Sequence, residues 1–189
     1  PKPPPWAPLP DPEQTKPHVA QNSGNNEWYT PSEYIEAARA TMRTIDTDPA
    51  SCEIANETVQ ATTYYTAEQN GLTQKWRGNV WMNPPYSQPE IMRFAEAITA
   101  KYRAAEIDQA CILVNNATET GWFQTMLEVT SAVCLIRGRI RFIDASGEPS
   151  GAPLQGQAVL YMGGNPGRFA EHFEQFGSIL LRSMRNDTV

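Results

Sequence analysis

Two periods of apolar residues organise the chain. In YTPSEYIEAARATM, starting at Tyr29, Ile35, Ala38 and Met42 recur on one face of a helix. Thr30 as N-cap, Pro31 at the first helical position and Glu33 completing a capping box predict its start. RTIDTDPAS follows as a short strand at about 43–47 that ends in acidic residues and a proline. A weaker helical stretch covers 53–60, and TTYYT reads as loop or strand. NVWM at 79–82 is a continuous apolar run, as expected of a strand buried on both faces, and it leads straight into NPPYSQPE. After Pro89, Ile91, Phe94, Ala95, Ile98 and Tyr102 line one side of a strongly amphipathic helix.

ACILVN (110–115) is a second apolar strand, and residues 121–130 read as a helix around Trp122, Phe123, Met126 and Leu127. AVCLI and RIRF flank Gly138, which predicts paired strands or a bulged hairpin. AVLYMG (158–163) is a strand, 167–175 a short helix and GSILLR (177–182) a last strand. Strands alternate with helices up to residue 131 and dominate afterwards. That order predicts an α/β fold, with a mostly parallel central sheet and an antiparallel C-terminal edge. Eight of the 16 prolines fall within the first 17 residues, so residues 1–25 are expected to form a flexible or extended arm. Residues 26–189 then form a single domain, with a small hairpin and loop around 133–157.

Composition narrows the function by exclusion. No run approaches the ~18 apolar residues of a membrane span, and the polar, Pro-rich start is unlike a signal peptide, so the cytoplasm is the expected location. Cys52, Cys111 and Cys134 are widely spaced and only two histidines, His18 and His172, are available, which speaks against a metal site. A formal charge of −6 argues against nucleic acid as a partner on charge alone. The distribution softens this, because Arg137, Arg139 and Arg141 fall within five residues near the C-terminal half.

NPPY at 83–86 carries the sharpest chemistry. It stands at the C-terminal end of a buried strand, where open α/β sheets place their ligand sites. Two consecutive prolines fix the backbone and supply no N–H to pair nearby carbonyls, and Asn83 adds a side-chain oxygen. Together with the flat face of Tyr86, these acceptors suit a planar substrate that bears an exocyclic amine. A rigid turn with a satisfied asparagine reads the same four residues without chemistry.

The motif resembles motif IV, [DNS]PP[YFW], of the amino methyltransferases that use S-adenosylmethionine. The wider chain resembles the small phage-type DNA N6-adenine methyltransferases (the phage Dam family), through NEWYTP (26–31), DTDPAS (46–51), NGLTQKWRGNVWMNPPYS (70–87), NNATETGWF (115–123) and RGRIRF (137–142). The resemblance covers about residues 26–180. It implies a Rossmann-like class I methyltransferase fold, S-adenosyl-L-methionine as cofactor, and a flipped-out adenine of double-stranded DNA as substrate. Asn83 and the Pro84 carbonyl, with Pro85, then accept from the N6 amine, and Tyr86 stacks on the base. Tyr29, Thr30 and Pro31 flank the methionine part of the cofactor, at a helix N-terminus suited to a carboxylate. Of Asp46 and Asp48 one faces the cofactor and the other caps the turn at Pro49, although the family's wider relatives carry a Gly-rich turn there that DTDPAS lacks; Tyr65 and Asn70 complete that pocket.

On the substrate side the resemblance implies Ser87 and Thr118, with Thr120 and Trp122 behind them, and phosphate or base contacts from Arg137, Arg139 and Arg141. Alternation in RIRF sets Arg139 and Arg141 on one face and Ile140 and Phe142 on the other. The protein is expected as a monomer or weak dimer, without metal or membrane, and the phage resemblance suggests a mark that protects DNA from restriction. Two other readings stay open. One is a methyltransferase acting on an RNA base or a protein glutamine; the other is a catalytically silent nucleic-acid-binding protein with this fold, for which the missing Gly-rich turn argues.

Overall fold

The computed structural model of the chain describes residues 29–144, 148–149 and 155–183. The expected N-terminal arm and most of the loop after Asp144 lie outside the described residues. In chain order the elements are α1 (Ser32–Met42), β1 (Thr47–Asp48), α2 (Glu53–Val59), β2 (Thr63–Tyr64), a 3-10 turn (Gly71–Thr73), β3 (Asn79–Met82), α3 (Glu90–Arg103) and β4 (Gln109–Asn115). There follow α4 (Gly121–Leu127), β5 (Ala132–Ile136), β6 (Gln157–Met162), α5 (Pro166–Phe173) and β7 (Gly177–Leu181). All the strands join one seven-stranded sheet in the order β2-β1-β3-β4-β6-β5-β7.

β2, β1, β3 and β4 run parallel, while β6 is antiparallel to both β4 and β5, and β7 is antiparallel to β5. The fold is therefore α/β and Rossmann-like, with the expected antiparallel region at the C-terminal side. β6 comes further in than a plain edge, pairing with β4 from Ala110↔Met162 to Asn115↔Gln157 and leaving β5 and β7 outside it.

The apolar runs are explained by burial on both faces. Trp81, Cys111, Leu113, Val159 and Tyr161 point into a core shared with α1 and α5, through Ile35, Ala38, Met42, Phe169 and Phe173. Their neighbours Val80, Met82, Ala110, Ile112, Val114 and Leu160 point the other way. There they meet Ile91, Phe94 and Ile98 of α3 and Trp122, Phe123 and Met126 of α4. A two-residue side-chain period between two helical layers thus gives every position of β3 and β4 an apolar neighbour, strand ends apart.

Three local expectations change. The first strand is short and displaced, at Thr47–Asp48, because pairing with β2 and β3 begins only as the chain clears the turn after α1. RIRF forms no ladder with AVCLI: β5 already has β6 on one side and β7 on the other, so its hydrogen-bonding edges are taken. Ile140 and Phe142 are nevertheless buried in the α1-side core while Arg137, Arg139 and Arg141 are exposed, so the predicted alternation of faces holds without a hairpin.

The third change concerns the start of α1. Pro31, at φ −56° and ψ 143°, occupies the N-cap position and no side chain caps the helix, so Thr30 and Glu33 form no capping box. Proline here fits the extended cap geometry with no N–H to satisfy, which displaces Thr30 one residue outward. The Thr30 hydroxyl goes to Asn83 instead.

The α1-side core rests on an aromatic stack. Phe169, fully buried, lies 5.3 Å from the Tyr161 ring and 4.5 Å from the Phe173 ring. Phe169→Ala is expected to lower unfolding free energy by about 3–5 kcal/mol. In urea titration the midpoint should fall while the slope stays unchanged.

Candidate active site at the carboxyl ends of the parallel strands

A strand buried on both faces can place polar side chains only where it ends. Thr47 stands level with Val80, and Met82 with Ile112, so the carboxyl ends of β1, β3 and β4 lie together. Asp48, Asn83 and Asn115 are the polar residues found there. Asp48 is level with Trp81 and so shares the α1 side of the sheet. Asn115 continues the alternation of Cys111 and Leu113 on that same side, and pairs with Gln157 across β6.

At the centre of this end, Asn83 joins two distant segments. Its Nδ2 donates to Thr30 Oγ1 at 3.2 Å, and its Oδ1 accepts from the Tyr86 hydroxyl at 2.7 Å. The same phenol lies 3.4 Å from the Leu113 carbonyl. Burial alone pushes the Tyr86 pKa far above its ordinary value, so the phenol remains a donor. Pro84 is buried and Pro85 exposed, and among the described residues no donor is bonded to the Pro84 carbonyl. Ser87 is exposed, and its carbonyl accepts from Ile91 at the start of α3.

The two aspartates have different surroundings. Asp46 Oδ2 accepts from the Asn79 amide at 2.8 Å and from the Thr44 hydroxyl at 3.3 Å. That engages it at the opposite end of β3 from Asn83. Asp48 is 2% exposed, and its Oδ1 accepts from the Ala50 amide at 3.1 Å. Desolvation raises its pKa to about 7, against which the Ala50 amide works only in part. The buried Ser51 hydroxyl also works against that rise from close by, although it makes no hydrogen bond of ordinary geometry.

The turn after β1 is closed by the segment that follows β2. The Ser51 amide donates to the Tyr65 carbonyl at 2.9 Å, and the Tyr65 hydroxyl donates to the Lys75 carbonyl at 2.9 Å. Asn70 is exposed in a left-handed conformation at the head of the 3-10 turn. Next to it, a Cβ on Gly71 would fall 1.9 Å from the Pro49 oxygen, so only glycine permits this approach. Pro49, Tyr65 and Asn70 therefore meet around one turn, beside Asp48.

The arginine segment also reaches this end. Tyr29 and Ile143 exchange backbone hydrogen bonds of 2.8 and 2.9 Å, which ties the stretch carrying Arg139 and Arg141 to the residue before Thr30. The Arg137 amide donates to the Phe176 carbonyl at 2.8 Å. Thr118 is exposed in the turn after β4, where its carbonyl accepts from Gln124, whereas Thr120 caps α4 by accepting from the Phe123 amide and Trp122 is buried.

Asn115 and Gln157 are additions that sequence reasoning passed over. Gln157 is 1% exposed; its Nε2 donates to the Asn115 Oδ1 and the Gln155 carbonyl, and its Oε1 has no partner. The available signal was a polar residue at the end of each of two otherwise apolar strands. Among the described residues no group of three His, Cys, Asp or Glu side chains could hold a metal ion, and no helix is long and apolar enough to cross a membrane.

A carboxyl group whose folded pKa lies above its unfolded value binds its proton more tightly in the native state. Its contribution to stability is therefore present below the unfolded pKa, near 4, and is lost as pH rises to about 7. Asp48→Asn should remove that dependence. The melting temperature of the wild type, relative to Asp48→Asn, is expected to fall between pH 4 and 7 and to level off above it; a flat difference would mean Asp48 is not held protonated.

A family model described as DNA N-6-adenine-methyltransferase (Dam) matches residues 18–163. A DNA N-6-adenine-methyltransferase of Escherichia phage T1 is 34% identical over 98 residues, covering 51% of this chain and 38% of the phage protein. The chain thus spans less than two thirds of the length of that relative. Among solved structures, protein LPL1258 from Legionella pneumophila str. Philadelphia 1, of family DUF519, is similar with a TM-score of 0.42 and 12% identity, covering 71% of this chain and 59% of that one. The family match takes in α1, the turn after β1, NPPY and the arginine segment, and the chain belongs to the DNA N-6-adenine-methyltransferase (Dam) family.

Proposed function

We propose that the chain transfers a methyl group from S-adenosyl-L-methionine to the exocyclic N6 amine of an adenine flipped out of double-stranded DNA. The observation that carries this reading is the pair of acceptors at the end of β3. Asn83 turns its amide oxygen toward a donor, and the Pro84 carbonyl next to it has no donor of its own among the described residues. Two acceptors on adjacent residues match the two hydrogens of one amine. Hydrogen bonds from both N–H groups hold N6 in place and leave its lone pair as the free direction for bond formation. N6 gains the methyl as the sulfonium S–CH3 bond breaks to leave a neutral thioether, and the methylated, now acidic N6 gives one proton to solvent, so positioning rather than a strong base is what the chain must supply.

Several residues fit the cofactor. α1 begins without a side-chain cap, which leaves its first N–H groups available to a carboxylate beside Tyr29, Thr30 and Pro31. The buried Ser51 Oγ and Asp48 supply a hydroxyl and a carboxyl group at the end of β1, and Pro49, Tyr65 and Asn70 shape the turn around them. When bound, the cofactor supplies a methyl group already activated on a sulfonium. Asp48 is the better candidate of the two aspartates, since Asp46 is engaged by Asn79 and Thr44.

DNA contact falls to the arginine segment. Arg137, Arg139 and Arg141 are exposed on a strip whose other face, Ile140 and Phe142, anchors it in the core. The backbone pairing of Tyr29 with Ile143 holds that strip next to the Thr30–Asn83 contact. Phosphates bound there lie close to the acceptors that receive the base.

The direct test supplies methyl-labelled S-adenosylmethionine and unmethylated double-stranded DNA, followed by digestion to nucleosides. Label is expected in N6-methyladenine and is expected to be lost in Asn83→Ala with cofactor affinity retained. Label in RNA or in protein glutamine, with none in DNA, would move the activity to those substrates. For DNA contact, replacing Arg139 and Arg141 together by Ala is expected to weaken binding and to reduce the slope of log affinity against log salt by about 2. An unchanged slope would return both arginines to ordinary surface residues.

A further inference from the structure

We infer that Thr30 is a positioning residue for Asn83: its hydroxyl anchors the amide nitrogen and so holds still the side chain whose oxygen is offered to the reacting amine. The inference rests on the transfer reaction proposed above and assigns the Thr30 side chain to the acceptor, while its backbone stays beside the helix start proposed for the cofactor's carboxylate. A threonine just before a helix ordinarily caps it. Here the N-cap is Pro31, and α1 receives no side-chain cap at all. Thr30 is 8% exposed, so water does not readily satisfy its hydroxyl. Its partner is Asn83 Nδ2, at 3.2 Å and 53 residues away along the chain.

The orientation of the amide follows from its other neighbour. The Tyr86 hydroxyl lies 2.7 Å from Asn83 Oδ1 and 3.4 Å from the Leu113 carbonyl. An O–H···O bond is normally 2.5–3.0 Å long, so the phenol gives its proton to Asn83. That sets the oxygen toward Tyr86 and the nitrogen toward Thr30, where a hydroxyl can accept.

An arriving amine brings its own N–H donors and takes over the oxygen from the phenol. The bond to Thr30 is then the contact that keeps the amide from swinging freely; a hydroxyl can donate as well as accept, so the choice of which end faces the amine is made by the donors, first the phenol and then the amine itself. Turned over, Asn83 would present two N–H donors to an amine that is itself a donor, and the pair would repel. Thr30 is well placed to anchor the side chain, because its neighbours are fixed. Tyr29 is pinned by two backbone bonds to Ile143, and the ring of Pro31 restricts the following φ. A group held on both sides can define an angle, which is what orienting an acceptor requires.

The experiment compares Thr30→Val, which keeps the shape and removes the hydroxyl, with Thr30→Ser, which keeps the hydroxyl. Each is measured alone and in the Asn83→Ala background. Readouts are the single-turnover methylation rate on unmethylated double-stranded DNA, the S-adenosylmethionine dissociation constant by calorimetry, and the melting temperature. Thr30→Val is expected to slow transfer about ten-fold, the scale of one buried hydrogen bond. Its cofactor affinity should stay within about two-fold of wild type, and Thr30→Ser should restore most of the rate. In the Asn83→Ala background Thr30→Val should cost nothing further, as expected when one residue acts through the other.

Three results would overturn the inference. A loss of cofactor affinity that parallels the loss of rate would assign Thr30 to the cofactor. An equal ten-fold loss with and without Asn83 would make Thr30 independent of it, and a Thr30→Ser variant as slow as Thr30→Val would make shape the requirement. A wild-type rate for Asn83→Ala by itself would instead sink the reading of Asn83 as acceptor, and is distinguishable because it needs no change at Thr30.

Discussion

Burial of the parallel strands on both faces is the constraint from which the rest of this molecule follows. β3 and β4 lie between α1 and α5 on one side and α3 and α4 on the other, and both cores are continuous across them. Leaving a buried polar group unpaired costs on the order of a few kcal/mol, so polar side chains are driven out of the strand interiors to the strand ends. Parallel pairing then brings equivalent ends together. Asp48, Asn83 and Asn115 meet because three buried strands run in the same direction, and each runs out of core at the same end of the sheet.

At that end the chain spends little on rigid catalytic groups and much on holding backbone still. Proline fixes positions 31, 84 and 85, Gly71 lets a loop press against the Pro49 carbonyl, and Tyr29 is stitched to Ile143. These devices suit a reaction whose demand is alignment. If the proposed transfer from an activated methyl donor takes place here, its acceptor must be oriented, and orientation comes from dihedrals that cannot relax. Among the described residues, two buried oxygens that make no hydrogen bond of ordinary geometry, Ser51 Oγ and Gln157 Oε1, lie toward the ends of β1 and β6.

Much of this was legible in the sequence because it depended on local pattern. The apolar runs NVWM and ACILVN, the helical face of Ile91, Phe94 and Ile98, and the alternation in RIRF all report which side of an element is buried. The NPPY turn was visible because proline leaves few backbone choices. What sequence did not reveal is what depends on distant partners. Thr30 and Glu33 have the form of a capping box, yet the Thr30 hydroxyl is taken by a residue 53 positions away. RIRF has the form of a hairpin strand, yet both edges of β5 are filled by β6 and β7, which come later in the chain. Gln157 sits at the end of an apolar strand, and only the sheet order shows that it pairs with Asn115.

The bond between Tyr86 and Asn83 has a bearing on which bases the pocket can tolerate. The amide oxygen is satisfied by the phenol at 2.7 Å. If adenine enters as proposed, it replaces one donor by another, and the exchange is close to neutral. Thymine presents a carbonyl where adenine carries its amine, and can make no such exchange. It would strip Asn83 of the phenol and face it with a second acceptor, leaving desolvated oxygens opposed to each other. Selectivity of that kind comes from the penalty on the wrong guest and not from extra affinity for the right one. A single phenolic proton, kept in place until an amine arrives, would serve the pocket as a sieve.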